Sequence, residues 1–175
     1  AKADFKDSAW ETMQLPSFWQ ASGCMFSGVL WFRKEIEVPK EWAGKDLELR
    51  VGSVDKTDIT YFNGEQVGAM GQGFDETVWC VPRKYTVPGR LVKAGRNVVA
   101  VRAYSFAYDG GLRGPKNKMF FIRAGEDDES KRISLAGDWK YAVEHNFGLI
   151  TPNSALRPQG PGNPNTAYML FDNMI

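Results

Sequence analysis

An antiparallel all-β sandwich is the fold class this sequence predicts, on three observations. Apolar and polar residues alternate with a period of two, turn-forming clusters recur between the alternating runs, and no window of eleven or more residues carries a helical 3.6 period. Short strands punctuated in this way, with almost no helix, pack as a two-layer sandwich or jelly roll.

The elements follow in order. Leu30, Phe32, Ile36 and Val38 fall on one face of a strand, with Trp31, Arg33, Glu35 and Glu37 on the other. Leu47, Leu49 and Val51 alternate with Glu48 and Arg50 and read as a half-buried strand. In residues 58–68, two such runs are joined by Asn63-Gly64, the signature of a two-residue hairpin whose turn residues both take positive φ. Val98-Val99-Ala100-Val101 is continuously apolar, as expected of a strand covered on both sides. Residues 119–123, 133–135 and 139–143 supply further strands, and Val38-Pro39, Val87-Pro88-Gly89, Ala94-Gly95-Arg96-Asn97 and Asp109-Gly110-Gly111 supply turns. Residues 126–132 are a charged run that reads as a solvated surface connection.

Two segments result. Residues 1–145 form the sandwich, and residues 146–175, with Pro152, Pro158, Pro161 and Pro164 among Gly and Asn, read as an extended tail without its own core. A chain of 175 residues can bury roughly 70% of its unfolded surface, so folding needs no covalent staple. The 22 basic and 21 acidic residues are spread without blocks and leave a net charge of +1, which disfavours nucleic acid and anionic membranes as partners. Apolar stretches are only strand length and none follows a basic leader, so neither a membrane span nor a signal peptide is read here. The start at Ala1 rather than methionine reads as the removal of an upstream segment. Cys24 and Cys80 are read as buried and unpaired, since two cysteines do not define a framework.

The residues with chemical potential are few. A Ser-His-Asp site needs a histidine base; the chain has only His145, beside the irregular tail, and no Gly-x-Ser-x-Gly elbow to present a nucleophile. Asp55 and Asp58 are weak candidates for a hard cation, because side chains three apart on an extended strand diverge; capping or bracing a turn suits them better. There is no zinc-type Cys/His spacing, and Gly71-Gln72-Gly73 lacks the helix of a phosphate loop, so no metal and no cofactor is expected. Aromatic residues make 13% of the chain. Trp19, Trp31, Trp42 and Trp139 are read as core. Trp79, Arg83, Tyr108 and Arg113 are candidate carbohydrate-binding residues, because ring faces pack on sugar C–H surfaces while charged groups take hydroxyls; a core role for Trp79 and Tyr108 stays open. Arg33 and Arg102, inside strands, suit structural ion pairs.

A family resemblance runs through nearly the whole chain. Met13-x-Leu15-Pro16 with Trp19, Gly28-Val29-x-Trp31-Phe32-Arg33-Lys34, Val38-Pro39 before Trp42-Ala43-Gly44-Lys45, and Asp55-x-x-Asp58-x-Thr60-Tyr61-Phe62-Asn63-Gly64 resemble the inserted β-domain of sialate O-acetylesterases. Arg83-x-Tyr85-x-Val87-Pro88, Ala94-Gly95-x-Asn97-Val98, Gly110-Gly111 and Leu135-Ala136-Gly137-Asp138-Trp139-Lys140-Tyr141 continue it. In that family the domain is similar to the galactose-binding-like jelly roll, also used as the sugar-binding domain of family-two glycoside hydrolases.

The resemblance implies a parent that removes O-acetyl groups from sialic acids through a serine, histidine and aspartate lying outside this segment. No catalytic position of the family maps onto this sequence. It further implies the esterase domain of the same chain as partner, sialylated or other glycans as ligands, a periplasmic or extracellular location, and hence an environment in which Cys24 and Cys80 could bridge. Residues 164–175 look like re-entry into that esterase domain, with Phe171-Asp172-Asn173 departing from the family's Tyr-Asn-Gly before Met174-Ile175. Two other readings stand beside it: an independent carbohydrate-binding module, and the sugar-binding domain of a family-two glycoside hydrolase.

Overall fold

The computed structural model of the chain describes residues 2, 4–148 and 150. Eleven strands run in order: β1 (Glu11–Leu15), β2 (Ser17–Phe18), β3 (Gly28–Val38), β4 (Leu47–Asp55), β5 (Thr57–Phe62), β6 (Glu65–Met70), β7 (Pro82–Val87), β8 (Gly95–Ser105), β9 (Gly111–Arg123), β10 (Ile133–Ser134) and β11 (Gly137–Asn146). The only helical pieces among the described residues are 3₁₀ turns of three or four residues. Pairing is antiparallel throughout and makes two sheets, one ordered β1-β11-β3-β8-β5-β6 and one ordered β10-β9-β4-β7, with β2 added beside β9. This is the sandwich expected from the period of two.

Each sheet turns its apolar alternation inward. Leu30, Phe32, Ile36 and Val38 of β3 meet Leu47, Leu49 and Val51 of β4 in one buried cluster, completed by Val99 and Val101 of β8 and Phe121 of β9. Trp19, Trp42 and Trp139 are buried as read, but Trp31 is not: it lies half-exposed on the outer face of β3, its ring against Tyr61. The alternation places it opposite Phe32, and its amphipathic ring suits a partly wet position. Both cysteines are thiols; Cys24 is half-buried against the core and Cys80 is exposed on the loop before β7.

Turn chemistry sets the register. Asn63 and Gly64 take φ of 49° and 91°, closing the β5–β6 hairpin with Phe62 opposite Glu65. The Asn63 amide also leaves its own hairpin: it donates to Leu91 O and to Asn97 Oδ1, and its oxygen accepts from Val98 N. Two turn motifs distant in sequence thus brace each other.

Three strands escape the sequence reading. β1 and β2 are short, and β7 begins with Pro82, which an edge strand tolerates because one side of its ladder carries no partner. Its inward residues Arg83, Tyr85 and Val87 disguise the apolar face with a charge. β9 is also longer than residues 119–123, since Gly114-Pro115 hides its first half.

The outer face of the larger sheet carries a second apolar cluster. Val29, Tyr104, Phe106, Ala107 and Ile150 are buried there, with Phe74, Tyr108 and Phe147 packed against them. Backbone bonds from Ser27 N to Gly148 O and from Tyr108 N to Ile150 O hold the chain after β11 onto the sheet. The remaining stretch, residues 151–175, including the re-entry wording from Pro164 onward, lies outside the described residues.

Candidate functional site

One end of the sandwich gathers most of the polar and aromatic groups singled out in the sequence. Asp55 ends β4, Lys56 follows it, Arg113 lies near the start of β9, Phe18 comes from β2, and Trp79 from the loop between β6 and β7. The convergence depends on backbone irregularity. Pairing between β4 and β9 runs from Ser53 opposite Gly114 to Val54 opposite Leu112, leaving Arg113 as an extra residue in the ladder. Such a bulge re-aims one side chain out of the alternation. The adjoining Gly110-Gly111 pair lets Trp19 and β2 approach: a Cβ on Gly110 would fall 2.0 Å from the Trp19 ring, and one on Gly111 2.3 Å from Ser17 O.

The re-aimed guanidinium is held between two rings. Its carbon sits 4.7 Å from the Phe18 ring centre and 4.6 Å from that of Trp79, a cation between two π faces. Trp79 is 42% exposed. The Asp55 carboxylate faces Arg113 Nη1 at 3.6 Å and Lys56 Nζ at 3.5 Å. Lys56 donates instead to Ala107 O at 2.9 Å, and its ammonium lies over the Phe106 and Tyr108 rings. Burial pushes the Asp55 carboxyl above its ordinary range, opposed by the Lys56 and Arg113 charges and reinforced by Asp109.

Arg83 occupies a different position from the other candidates. Its side chain is fully buried, and every donor is used: Nε to Asp58 Oδ1 at 2.7 Å, Nη1 to the carbonyls of Val78 and Val81, Nη2 to those of Val54 and Lys56. It presents no donor to a ligand. Those carbonyls flank Trp79 on one loop and Asp55 on the other, so Arg83 fixes the two segments that carry the surface groups. Asp58 is equally occupied, its Oδ2 accepting from Thr60 Oγ1 and Tyr85 OH. Burial and then the Asp58 charge drive the Tyr85 phenol far above its usual range, keeping it a neutral donor.

Of the four carbohydrate candidates, Trp79 and Arg113 are in direct contact, Tyr108 joins them through Lys56, and Arg83 lies beneath. Phe18, Lys56 and Asp109 were not legible as members; only the Gly110-Gly111 pair and the break in alternation at Arg113 signal a close approach here. Asp55 and Asp58 share no partner, and among the described residues no group of three or more His, Cys, Asp or Glu is placed to hold a metal ion. His145 Nε2 stands 3.3 Å from Glu144 Oε1, and its ring stacks on Phe147. Arg102 and Trp31 share the same Glu144, whose carboxyl the Arg102 hydrogen bonds hold below the usual range. Arg33 pairs with Asp7 at 3.3 Å in a separate groove of about 390 Å³, where Lys140 also meets Asp7.

This architecture has solved counterparts. The fold is shared with β-glucuronidases. Two structures of Bacteroides uniformis β-glucuronidase, one covalently bound to cyclophellitol-6-carboxylate aziridine, align at a TM-score of 0.50 and 20% identity over 81% and 82% of this chain. A β-glucuronidase from glycoside hydrolase family 2 aligns over 59% at 21% identity with a TM-score of 0.49. This chain spans 15% and 16% of the Bacteroides chains and 12% of the third. No protein-family model matches it, and no curated protein does. At this identity the likeness establishes the sandwich fold.

Proposed function

We propose that the chain is a non-catalytic β-sandwich domain of a larger carbohydrate-active hydrolase. The observation that carries this reading is the alignment of four-fifths of this chain with about one sixth of the Bacteroides β-glucuronidases, a match to a small part of a much longer chain. The site chemistry agrees with it. His145 is engaged by Glu144 and Phe147, and among the described residues no hydroxyl or thiol hydrogen-bonds to it, so the described residues supply no activated nucleophile. The partner is the catalytic domain of the same polypeptide, in a periplasmic or extracellular setting.

The solved neighbours favour a family-two glycoside hydrolase as the parent. A sialate O-acetylesterase-like parent is the second reading, favoured by the wording of residues 135–141 and 164–175, and a sandwich of this kind suits either. The flanking reading frame separates them. A glycosidase continues downstream into an immunoglobulin-like domain and a barrel, whereas an esterase shows a serine nucleophile motif upstream and Asp-x-x-His downstream. For the 175-residue chain itself, chromogenic acetyl esters and glucuronides should turn over no faster than in buffer; turnover abolished by His145→Ala would overturn the non-catalytic reading.

A further inference from the structure

Two segments far apart in sequence are joined across the outer face of the larger sheet by a file of aromatic rings. His145 stacks on Phe147 with ring centres 6.0 Å apart, and Phe147 meets Tyr104 edge to face at 6.3 Å. Tyr104 then meets Phe106 at 6.0 Å, and Phe106 meets Phe74 edge to face at 5.1 Å. The file begins where the chain leaves β11 and ends in the loop between β6 and β7. Its middle members, Tyr104 and Phe106, are each 2% exposed. Close-packed rings transmit displacement, because moving one removes the contact surface of the next.

Residues 147, 148 and 150 belong to no strand and are seated by backbone bonds to neighbouring turns. Phe147 N donates to Ser27 O and Ser27 N to Gly148 O, both at 2.9 Å, while Tyr108 N donates to Ile150 O at 2.7 Å. Ile150 is itself buried in the cluster that holds Tyr104 and Phe106. A short segment held in this way opens locally at lower free energy than the sandwich unfolds. At the other end of the file, Arg83 fixes Val78 O and Val81 O, which confines loop motion to residues 71–77, where Phe74 lies.

We propose that the chain leaving β11 is a strap whose seating orders the β6–β7 loop through this file of rings. With the strap down, Phe147 backs Tyr104, and Phe106 in turn holds Phe74 and its loop. With the strap lifted, Tyr104 and Phe106 lose their cover and residues 71–77 lose their anchor. The sequence continues from Ile150 to Ile175, so an interaction that pulls on or covers those following residues acts on the loop at a distance. The same loop leads into Trp79, whose ring faces Arg113. The proposal does not depend on which enzyme the chain belongs to.

The test is backbone amide NMR of the full 175-residue chain and three single variants. In Phe147→Ala, the order parameters of residues 74–77 should fall from the rigid range to about 0.6 or below. In Phe74→Ala, hydrogen exchange of the Ser27 and Tyr108 amides, which donate to the strap carbonyls, should accelerate about fivefold or more, the lower end of ordinary site-to-site coupling. Asn97→Ala, which removes a brace at the opposite end of β8, should do neither. Unchanged order parameters in Phe147→Ala overturn the proposal, as do unchanged exchange rates in Phe74→Ala. The same changes in Asn97→Ala would also overturn it, by showing general loosening rather than transmission through the rings.

Discussion

Arg83 and Asp58 meet across the interior of the sandwich, one from each sheet, with Nε to Oδ1 at 2.7 Å and both side chains fully buried. The guanidinium's five N–H groups all find acceptors, which lets a charge sit among apolar neighbours. Removing one partner leaves the other charge buried and unmatched. Arg83→Met and Asp58→Ala should each lower unfolding free energy by about 3–5 kcal/mol in urea denaturation. Arg83→Lys should recover little, because an ammonium cannot span four carbonyls and a carboxylate. Tyr85→Phe should cost about 1–2 kcal/mol, the loss of one hydrogen bond to a charged acceptor. A loss below 1 kcal/mol for Arg83→Met would show the pair to be dispensable.

Asn63 and Asn97 join the β5–β6 hairpin to the start of β8 through amides 2.7 Å apart. Asn97 further bridges Lys93 N, Lys93 O and Gly95 O. Alanine at either site should destabilise by about 1–3 kcal/mol, and the double variant by clearly less than the sum, because the two act as one network. Additive losses in the same denaturation measurement would contradict that coupling.

The raised carboxyl of Asp55 has a pH consequence of definite sign. A carboxyl whose folded pKa exceeds its unfolded value binds protons more readily in the folded state, so its contribution is greatest below the ordinary aspartate range. That contribution falls as pH rises through the folded pKa. The stability of Asp55→Asn relative to wild type should therefore increase from pH 3.5 upward and then level off. Carboxyls held low by basic partners, such as Glu48 beside Lys84 and Arg50, act oppositely and lose their stabilisation as pH falls. Since they are common to both proteins, the difference between denaturant midpoints isolates Asp55; a difference that shrinks with rising pH would refute the assignment.

Cys24 and Cys80 should titrate as two thiols in denaturant without reductant. In the native chain Cys80, exposed on its loop, should react with a disulfide reagent at least tenfold faster than Cys24, which is packed beside the core. Equal rates, or a thiol count of zero, would contradict the placement of these side chains.

Much of the architecture is readable before any coordinates. The alternation in β3 and β4, the doubly covered β8 and the Asn63-Gly64 turn are local patterns, and local backbone preference and burial agree in each. β7 was hidden because its inward face begins with Arg83, a residue that local rules assign to solvent. The site was partly hidden for a similar reason: Trp79 and Arg113 can be named as suitable types, but their contact depends on a bulge and on two glycines that admit Trp19.

By itself, the sequence determined the strand periodicity and the fold class, because these follow from residue type and near-neighbour spacing. Only the tertiary structure decided that Arg83 is an internal brace while Arg113 lies between two rings, and that Asp58 is fully hydrogen-bonded whereas Asp55 faces its cations at ion-pair distance. The physical reason is that desolvation and hydrogen-bond completeness belong to the three-dimensional neighbourhood: identical side chains become scaffold or surface according to which distant carbonyls reach them.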